Sequence, residues 1–222
     1  SDKDMVKIAV SSAEDTKNEV MWNNVALNFQ DLSTSWNWKE NQPLDILTIT
    51  NADEVELFVN GESQGVKLLK DFPNHKILWR LDFRPGCIKA VARKAGKEVA
   101  VDEIKTAGKP HSIVLSTDSA TVCSDGMDLA YITVNVVDKD GILVPDADNR
   151  IRFTVEGAGE LAAVGNGDRN SDEAFDADNR KAYQGKCLAI VRSTSMPGKI
   201  KVKASANGLK PATLILTAAQ KQ

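Results

Sequence analysis

The sequence predicts an all-β protein that consists of two immunoglobulin-like antiparallel β-sandwich domains in tandem. Apolar and polar residues alternate with a period of two through most of the chain, and clusters of Gly, Asn, Asp and Pro separate the alternating runs. Apolar spacing of three and four residues, which is typical of amphipathic helices, is never sustained. A chain of 222 residues with 42% apolar residues is long enough to form two packed cores.

A β-hairpin around Asn60-Gly61 is the clearest single element. Val55, Leu57 and Val59 fall on one face of an extended strand, and polar residues alternate with them. Asn and Gly both tolerate positive φ, which a two-residue type I′ turn requires. The pattern therefore predicts a hairpin folded over a buried apolar face.

The rest of the first half predicts about seven strands in all, the number typical of a sandwich. Trp79 alternates with charged neighbours and is therefore expected in the core. The other predicted strands cover 6–10, 46–50, 77–83, 88–92 and 99–104.

A break at Thr-Ala-Gly-Lys-Pro, residues 106–110, predicts a short linker because Gly and Pro interrupt strands. We therefore expect one domain at 1–107 and a second at 108–222. A long polar loop is predicted over 166–184. The predicted strands of the second domain are 113–115, 131–137, 151–155, 161–164, 187–191, 200–206 and 213–217.

The charge pattern excludes several classes of partner. The 28 basic and 31 acidic residues give a net charge of −3, and no basic run indicates nucleic acid. No apolar run approaches the ~20 residues needed for membrane insertion. The three cysteines, Cys87, Cys123 and Cys187, are widely spaced and only two histidines accompany them, so no zinc site and no cofactor are predicted. A disulfide between two of these cysteines is left open.

No residue of the chain is predicted to be catalytic. The acidic residues are scattered over turns, and none lies in an apolar setting that would raise its pKa toward that of a general acid. His75 lies in a predicted turn and His111 in the predicted linker, and no nucleophile elbow is present.

A short repeat, Asp-Ala-Asp-Asn-Arg, occurs at 146–150 and again at 176–180. Each copy begins like a calcium loop. Arg150 and Arg180 occupy the fifth position, however, where an EF-hand needs an oxygen ligand. Solvated loops are therefore favoured over metal sites, and no metal ligand is predicted.

Three tryptophans, Trp22, Trp36 and Trp38, lie close together among Asn and Ser residues, with Asn37 between the last two. An exposed indole offers a flat apolar surface to a sugar, and a neighbouring amide can bond its hydroxyls. Packing in the core or against a preceding domain is the alternative. These four residues are the candidate carbohydrate contacts.

Several segments of the first half resemble the C-terminal modules of glycoside hydrolase family 2, the β-galactosidase-like enzymes common in gut Bacteroidetes. They are Asn-Ala-Asp-Glu-Val-Glu-Leu-Phe-Val-Asn-Gly at 51–61, Trp-Asn-Trp at 36–38 and the Arg-Pro-Gly-Cys turn within 83–92. The second half is similar to an Ig-like module of the same enzymes. Its matching segments are 136–141, 144–149, 152–153, 165–168, 180–182 and 185–189.

The resemblance implies a parent enzyme whose two catalytic glutamates lie in a TIM barrel that this chain does not match. The chain is then a non-catalytic region of a glycosidase that supports the barrel, the active-site rim or oligomer contacts. Its partner is the catalytic domain, and the implied location is periplasmic or secreted. The alternatives are a carbohydrate-binding module, with a glycan as partner, and a cell-surface spacer or adhesion module.

Overall fold

A computed structural model describes residues 3–13 and 32–220, together with the backbone of two short strands at 19–22 and 25–28. The chain forms two compact units, Ser1–Thr106 and Ala107–Gln222, called unit 1 and unit 2 below. Each unit encloses its own hydrophobic core between β-sheets. The predicted fold class, two β-sandwiches in tandem, is confirmed. None of the described residues forms a helix of the length and apolarity needed to cross a membrane.

Unit 1 contains nine of the strands that the structure describes. One sheet has the order β1-β4-β7, the second has the order β6-β5-β8-β9, and β2 pairs with β3. Two 3-10 turns, Leu69–Asp71 and Pro73–His75, connect β6 to β7. The strands are β1 (Val6–Ser12), β2 (Glu19–Trp22), β3 (Val25–Asn28), β4 (Pro43–Thr50), β5 (Glu54–Val59), β6 (Glu62–Leu68), β7 (Lys76–Asp82), β8 (Cys87–Lys94) and β9 (Lys97–Lys105).

The core of unit 1 lies between its two larger sheets. One sheet contributes the buried residues Ile8 on β1 and Ile46 on β4, and the other sheet contributes Leu57 on β5 and Ile88 on β8. Period-two alternation places every second side chain on one face, which is why these apolar positions meet. Trp79 is buried as predicted, and its indole N–H donates to Thr48 Oγ1 at 3.1 Å.

The predicted hairpin is confirmed. Asn60 and Gly61 have φ values of +52° and +84°, as a type I′ turn requires. The Asn60 side chain also holds the turn before β8: its Oδ1 accepts from Cys87 N at 2.8 Å, and its Nδ2 donates to Pro85 O at 2.9 Å. A Cβ at Gly86 would lie 1.9 Å from Asn60 Oδ1, so only glycine fits there. Hydrogen bonds therefore join two of the segments that carry the family resemblance, 51–61 and 83–92.

Unit 2 contains the other nine described strands. One sheet has the order β10-β12-β16-β14, and the second has the order β11-β18-β17-β13-β15. The strands are β10 (Ser112–Thr117), β11 (Thr121–Cys123), β12 (Leu129–Val137), β13 (Arg150–Gly157), β14 (Gly159–Gly165), β15 (Asn179–Lys181), β16 (Lys186–Ser193), β17 (Gly198–Ser205) and β18 (Ala212–Ala219).

Two short strands of unit 2 depart from the sequence prediction. Strand β11 pairs in parallel with β18 and was not predicted, because three residues are too few to show a period. The prediction of an unbroken loop over 166–184 is wrong at β15, which pairs with β13 as the sheet edge. Its members are polar, so no apolar alternation marks them.

The first residues of unit 2 are held by a buried carboxylate. Asp138 is 3% exposed and accepts hydrogen bonds from Gly108 N at 2.7 Å, Asp140 N at 2.9 Å and Ile142 N at 2.9 Å. Burial raises the pKa of Asp138, but the three N–H donors outweigh it, and the pKa lies below its usual value. The carboxylate thus ties residue 108 to the β12 end of the sandwich.

Candidate functional site

Trp36, the first of the predicted sugar contacts in the described part of the chain, lies in the core of unit 1. Its side chain has no exposed surface, and its ring meets Phe83 edge to face with centroids 5.1 Å apart. The indole N–H donates to Arg84 O at 3.0 Å. A ring without exposed surface cannot stack on a sugar, so for Trp36 the packing alternative holds.

Trp38 and Asn37 lie nearer the surface of unit 1. Trp38 is half-buried against the core, and its indole N–H donates to Ser35 O at 3.2 Å. Asn37 is also half-buried, and its main-chain N–H donates to Ser35 Oγ at 3.1 Å. The side chain of Trp22 lies outside the described residues. Sugar contact by Trp38, Asn37 and Trp22 therefore stays a prediction.

The two Asp-Ala-Asp-Asn-Arg repeats of unit 2 end on neighbouring strands. Arg150 on β13 pairs with Lys181 on β15, and Ile151 pairs with Arg180. The arginines that end the two repeats both approach one carboxylate: Glu173 Oε1 lies 2.6 Å from Arg150 Nη1, and Glu173 Oε2 lies 3.6 Å from Arg180 Nε. The repeat thus supplies two cations to a shared anion.

Arg180 is a buried cation that organises the loop before it. It is 1% exposed, its Nη1 donates to Glu173 O at 2.8 Å, and its Nη2 donates to Asn166 Oδ1 at 3.1 Å. Its guanidinium also lies 5.2 Å from the ring centroid of Phe175. Because these partners span the loop from 166 to 175, Arg180 holds that loop in one conformation.

Glu173 is the anionic partner in this arrangement. Burial raises its pKa, but hydrogen bonds from the Arg150 side chain and Lys181 N, with the charges of Arg150 and Arg180, outweigh burial and lower it. Glu173 is therefore ionised at neutral pH, which compensates the buried guanidinium of Arg180.

The organised loop borders an open polar cleft of about 350 Å³. Asp148 pairs with Lys181 at 2.8 Å, which lowers the pKa of Asp148, and Glu173 pairs with Arg150. The lining residues are Asp148, Arg150, Asn166, Asp168, Asn170, Ser171, Asp172, Glu173, Lys181, Ala182 and Tyr183. The cleft thus offers cationic hydrogen-bond donors, anionic hydrogen-bond acceptors and neutral amide and hydroxyl groups.

Tyr183 stands at one side of the cleft on a tight turn. Gln184 and Gly185 have φ values of +51° and +75°, and Tyr183 N donates to Lys186 O at 2.8 Å across the turn. A Cβ at Gly185 would lie 2.3 Å from Val144 O, so glycine is required. The Tyr183 side chain is 41% exposed. The turn therefore presents an accessible aromatic ring from a fixed backbone.

Metal and thiol chemistry gain no support from the described residues. No group of three or more His, Cys, Asp or Glu side chains there is arranged to hold a metal ion. All three cysteines are free thiols. Burial raises the pKa of Cys187 to about 12, which leaves a negligible thiolate fraction at neutral pH.

Comparison with known families identifies the class of module. Residues 113–215 match the family described as Glycoside hydrolase family 2 C-terminal domain 5, and residues 41–100 match Domain of unknown function (DUF4982). Beta-galactosidase BoGH2A of Bacteroides ovatus is 49% identical over 184 residues, which are 82% of this chain and 22% of that protein.

Solved structures agree with these matches. A glycosyl hydrolase family 2 member from Bacteroides cellulosilyticus has a TM-score of 0.88 at 32% identity, over 100% of this chain and 29% of that chain. A β-glycosidase from Bacteroides vulgatus has a TM-score of 0.82 at 27% identity, over 98% and 25%. The chain belongs to the C-terminal β-sandwich modules of glycoside hydrolase family 2, and it spans about a fifth of the curated β-galactosidase that it matches.

Proposed function

We propose that this chain is the non-catalytic C-terminal region of a β-galactosidase-like glycoside hydrolase. In that role it supports the catalytic barrel, shapes the rim of the active site or mediates oligomer contacts, and its partner is the parent's catalytic domain. The observation that carries the proposal is the match of both units to a small share of much longer glycosidases.

The ionisation of the carboxyl groups supports a non-catalytic role. Glycoside hydrolysis needs one carboxyl group whose pKa is raised so that it can act as a general acid. Every described carboxyl group whose pKa is displaced is displaced downward, because each accepts hydrogen bonds or lies beside a cation. These groups are Glu56, Glu103, Asp138, Asp148 and Glu173.

An assay of the purified chain on nitrophenyl β-galactoside tests the proposal. We expect no turnover above the buffer background, and turnover well above it would contradict the non-catalytic role. The supporting role is tested in the parent enzyme, expressed with and without the segment that this chain represents. We expect deletion to lower the melting temperature, the kcat or the oligomer size, and unchanged values for all three would overturn it.

We also propose that residues 1–107 and 108–222 fold as separate domains. Each unit has its own hydrophobic core, and Asp138 binds Gly108 N within unit 2. Limited proteolysis followed by mass spectrometry tests this boundary. We expect cleavage near residue 107, and resistance of that segment together with cleavage inside a sandwich would contradict it.

A second candidate function is glycan binding at the tryptophan segment. We propose it for Trp38 and Asn37, whose half-buried side chains keep part of their surface exposed, and for Trp22 from its position in the sequence. Affinity electrophoresis through galactan tests it, and a mobility equal to that in a gel without polysaccharide would exclude this function.

A further inference from the structure

The cleft of unit 2 has polar groups that the fold itself does not use. The Asp172 carboxylate, the Asn170 side-chain amide and the Tyr183 hydroxyl make no hydrogen bond or ion pair within the part of the chain that the structure describes, whereas the Asn170 main-chain N–H donates to Asp168 Oδ1 at 2.9 Å. The Asn166 amide, by contrast, donates to Lys181 O at 2.8 Å and accepts from Arg180. One set of cleft residues therefore builds the wall, and a second set remains available to a ligand.

The charges of the cleft indicate which ligand it suits. Glu173 is shared by Arg150 and the buried Arg180, and Asp148 pairs with Lys181, whereas Asp168 and Asp172 have no cationic partner among the described residues. The four carboxylates exceed the three cations by one negative charge, which disfavours a uronate, sulfate or phosphate group relative to a neutral ligand. Carboxylates and amides accept hydrogen bonds well from the hydroxyl groups of a neutral sugar.

The shape of the cleft fits the same class of ligand. Small-molecule sites in proteins measure about 300–1,000 Å³, and this cleft lies near the lower end at about 350 Å³. Tyr183 adds an exposed aromatic ring, which can pack against the apolar face of a sugar while its hydroxyl bonds outward.

The cleft is also formed in advance of binding. Arg180 ties the loop at Asn166 and Glu173, Val164 N donates to Phe175 O at 2.7 Å, and Gly185 fixes the turn that carries Tyr183. A loop of more than about 12 residues without regular structure is uncommon unless it has a function. A loop held by a buried arginine loses little conformational entropy when a ligand binds.

We propose that the polar cleft of unit 2 binds a neutral oligosaccharide. Tyr183 stacks on one sugar ring, and Asp168, Asn170 and Asp172 bond its hydroxyl groups. The site is distinct from the tryptophan segment of unit 1. The proposal does not rest on the non-catalytic role, because binding and turnover are measured separately.

Isothermal titration calorimetry of the full chain with β-1,4-galactotetraose, cellotetraose and mannotetraose tests the proposal, with trigalacturonate as the acidic comparator. We expect at least one neutral tetrasaccharide to bind at millimolar concentration, and trigalacturonate not to bind. Tyr183→Ala should weaken that binding about fivefold or more, since an aromatic contact is worth about 1 kcal/mol. Asp172→Ala, at an exposed position, should weaken it without affecting folding.

Tyr131→Ala is the matched control. Tyr131 is the chain's other tyrosine, its side chain is 46% exposed on β12, and it does not line the cleft. We expect unchanged binding for this variant. Equal loss in Tyr131→Ala and Tyr183→Ala would overturn the proposal, as would the absence of binding by all three neutral tetrasaccharides. A melting temperature that rises with millimolar calcium but not with any tetrasaccharide would assign the cleft to a metal and overturn it as well.

Discussion

The tryptophan segment of unit 1 and the polar cleft of unit 2 are built in opposite ways. In the first, an aromatic ring that the sequence predicts as a sugar contact lies in the core: Trp36 has no exposed surface and meets Phe83 edge to face. In the second, a charged side chain lies inside: Arg180 is 1% exposed, and the surface around it is open and polar. The aromatic ring stabilises the sandwich, and the buried charge shapes a surface.

This difference shows that residue type alone is a poor guide to where a ligand binds. An indole buries a large apolar area, so the fold gains more from packing it than from exposing it. A guanidinium costs several kcal/mol to bury without partners, so a chain that buries one must surround it with acceptors. Those acceptors, Glu173 and Asn166, are also what holds the cleft loop.

Trp36→Ala is expected to produce the largest loss of stability. Removing a fully buried aromatic side chain costs about 3–5 kcal/mol of unfolding free energy because the core around Phe83 cannot collapse into the space. Denaturant unfolding followed by Trp fluorescence and circular dichroism measures it. A loss below about 1 kcal/mol would show that Trp36 is not a core residue.

Glu173→Gln is expected to lower the unfolding free energy by about 2–4 kcal/mol, because it leaves the Arg180 guanidinium buried without its anion. Asp148→Asn is the matched control: its pair with Lys181 is exposed, 73% and 50%, and such pairs contribute below about 1 kcal/mol. Equal losses in the two variants, measured by urea unfolding, would show that Arg180 does not depend on Glu173.

Gly185→Ala is expected to cost about 2–3 kcal/mol, since its φ is +75° and the new Cβ would meet Val144 O. Gly141→Ala is the control, because its φ is +81° but no atom lies within 4 Å of the added Cβ. It should cost about 1 kcal/mol from backbone strain alone. Thermal unfolding separates the two, and a smaller effect at Gly185 than at Gly141 would contradict the close approach.

Acid is expected to reduce the contribution of Glu173 to the unfolding free energy and to leave that of Trp36 unchanged. The pKa of Glu173 is lowered in the folded chain, so its contribution is fully present above its ordinary value of 4.5 and is lost as the pH falls through the lower folded value. The stability difference between the native chain and Glu173→Gln should therefore shrink below about pH 4.5, whereas the effect of Trp36→Ala should not change. Urea titrations at neutral and acidic pH measure both, and a difference that grows on acidification would reverse the assignment.

Trp38→Ala is expected to lower the unfolding free energy less than Trp36→Ala does, by about 1–2 kcal/mol, because the ring is only half-buried. If the segment contacts sugar, the same variant should travel faster than the native chain through a galactan gel. Unchanged mobility in a folded variant would show that Trp38 serves only in packing, and the polar cleft of unit 2 would remain the candidate glycan site.

The sequence by itself determined the repeating architecture of this chain. Alternation at Val55, Leu57 and Val59 and the positive-φ turn at Asn60-Gly61 are local properties, because strand period and turn geometry depend on a few neighbouring residues. The family resemblance also rests on short contiguous segments, such as residues 51–61. The prediction that Trp79 lies in the core succeeded for the same reason.

Only the tertiary structure decided which groups meet across the chain. Three such contacts join residues that are distant in sequence. Trp36 packs against Phe83, and the Asn60 side chain bonds the turn at Pro85–Cys87. Arg150 and Arg180 both approach Glu173. No local period marks such contacts, because they depend on sheet register and on the route of a polar loop. The repeat was visible in the sequence, but the approach of its two arginines to Glu173 depends on the pairing of β13 with β15.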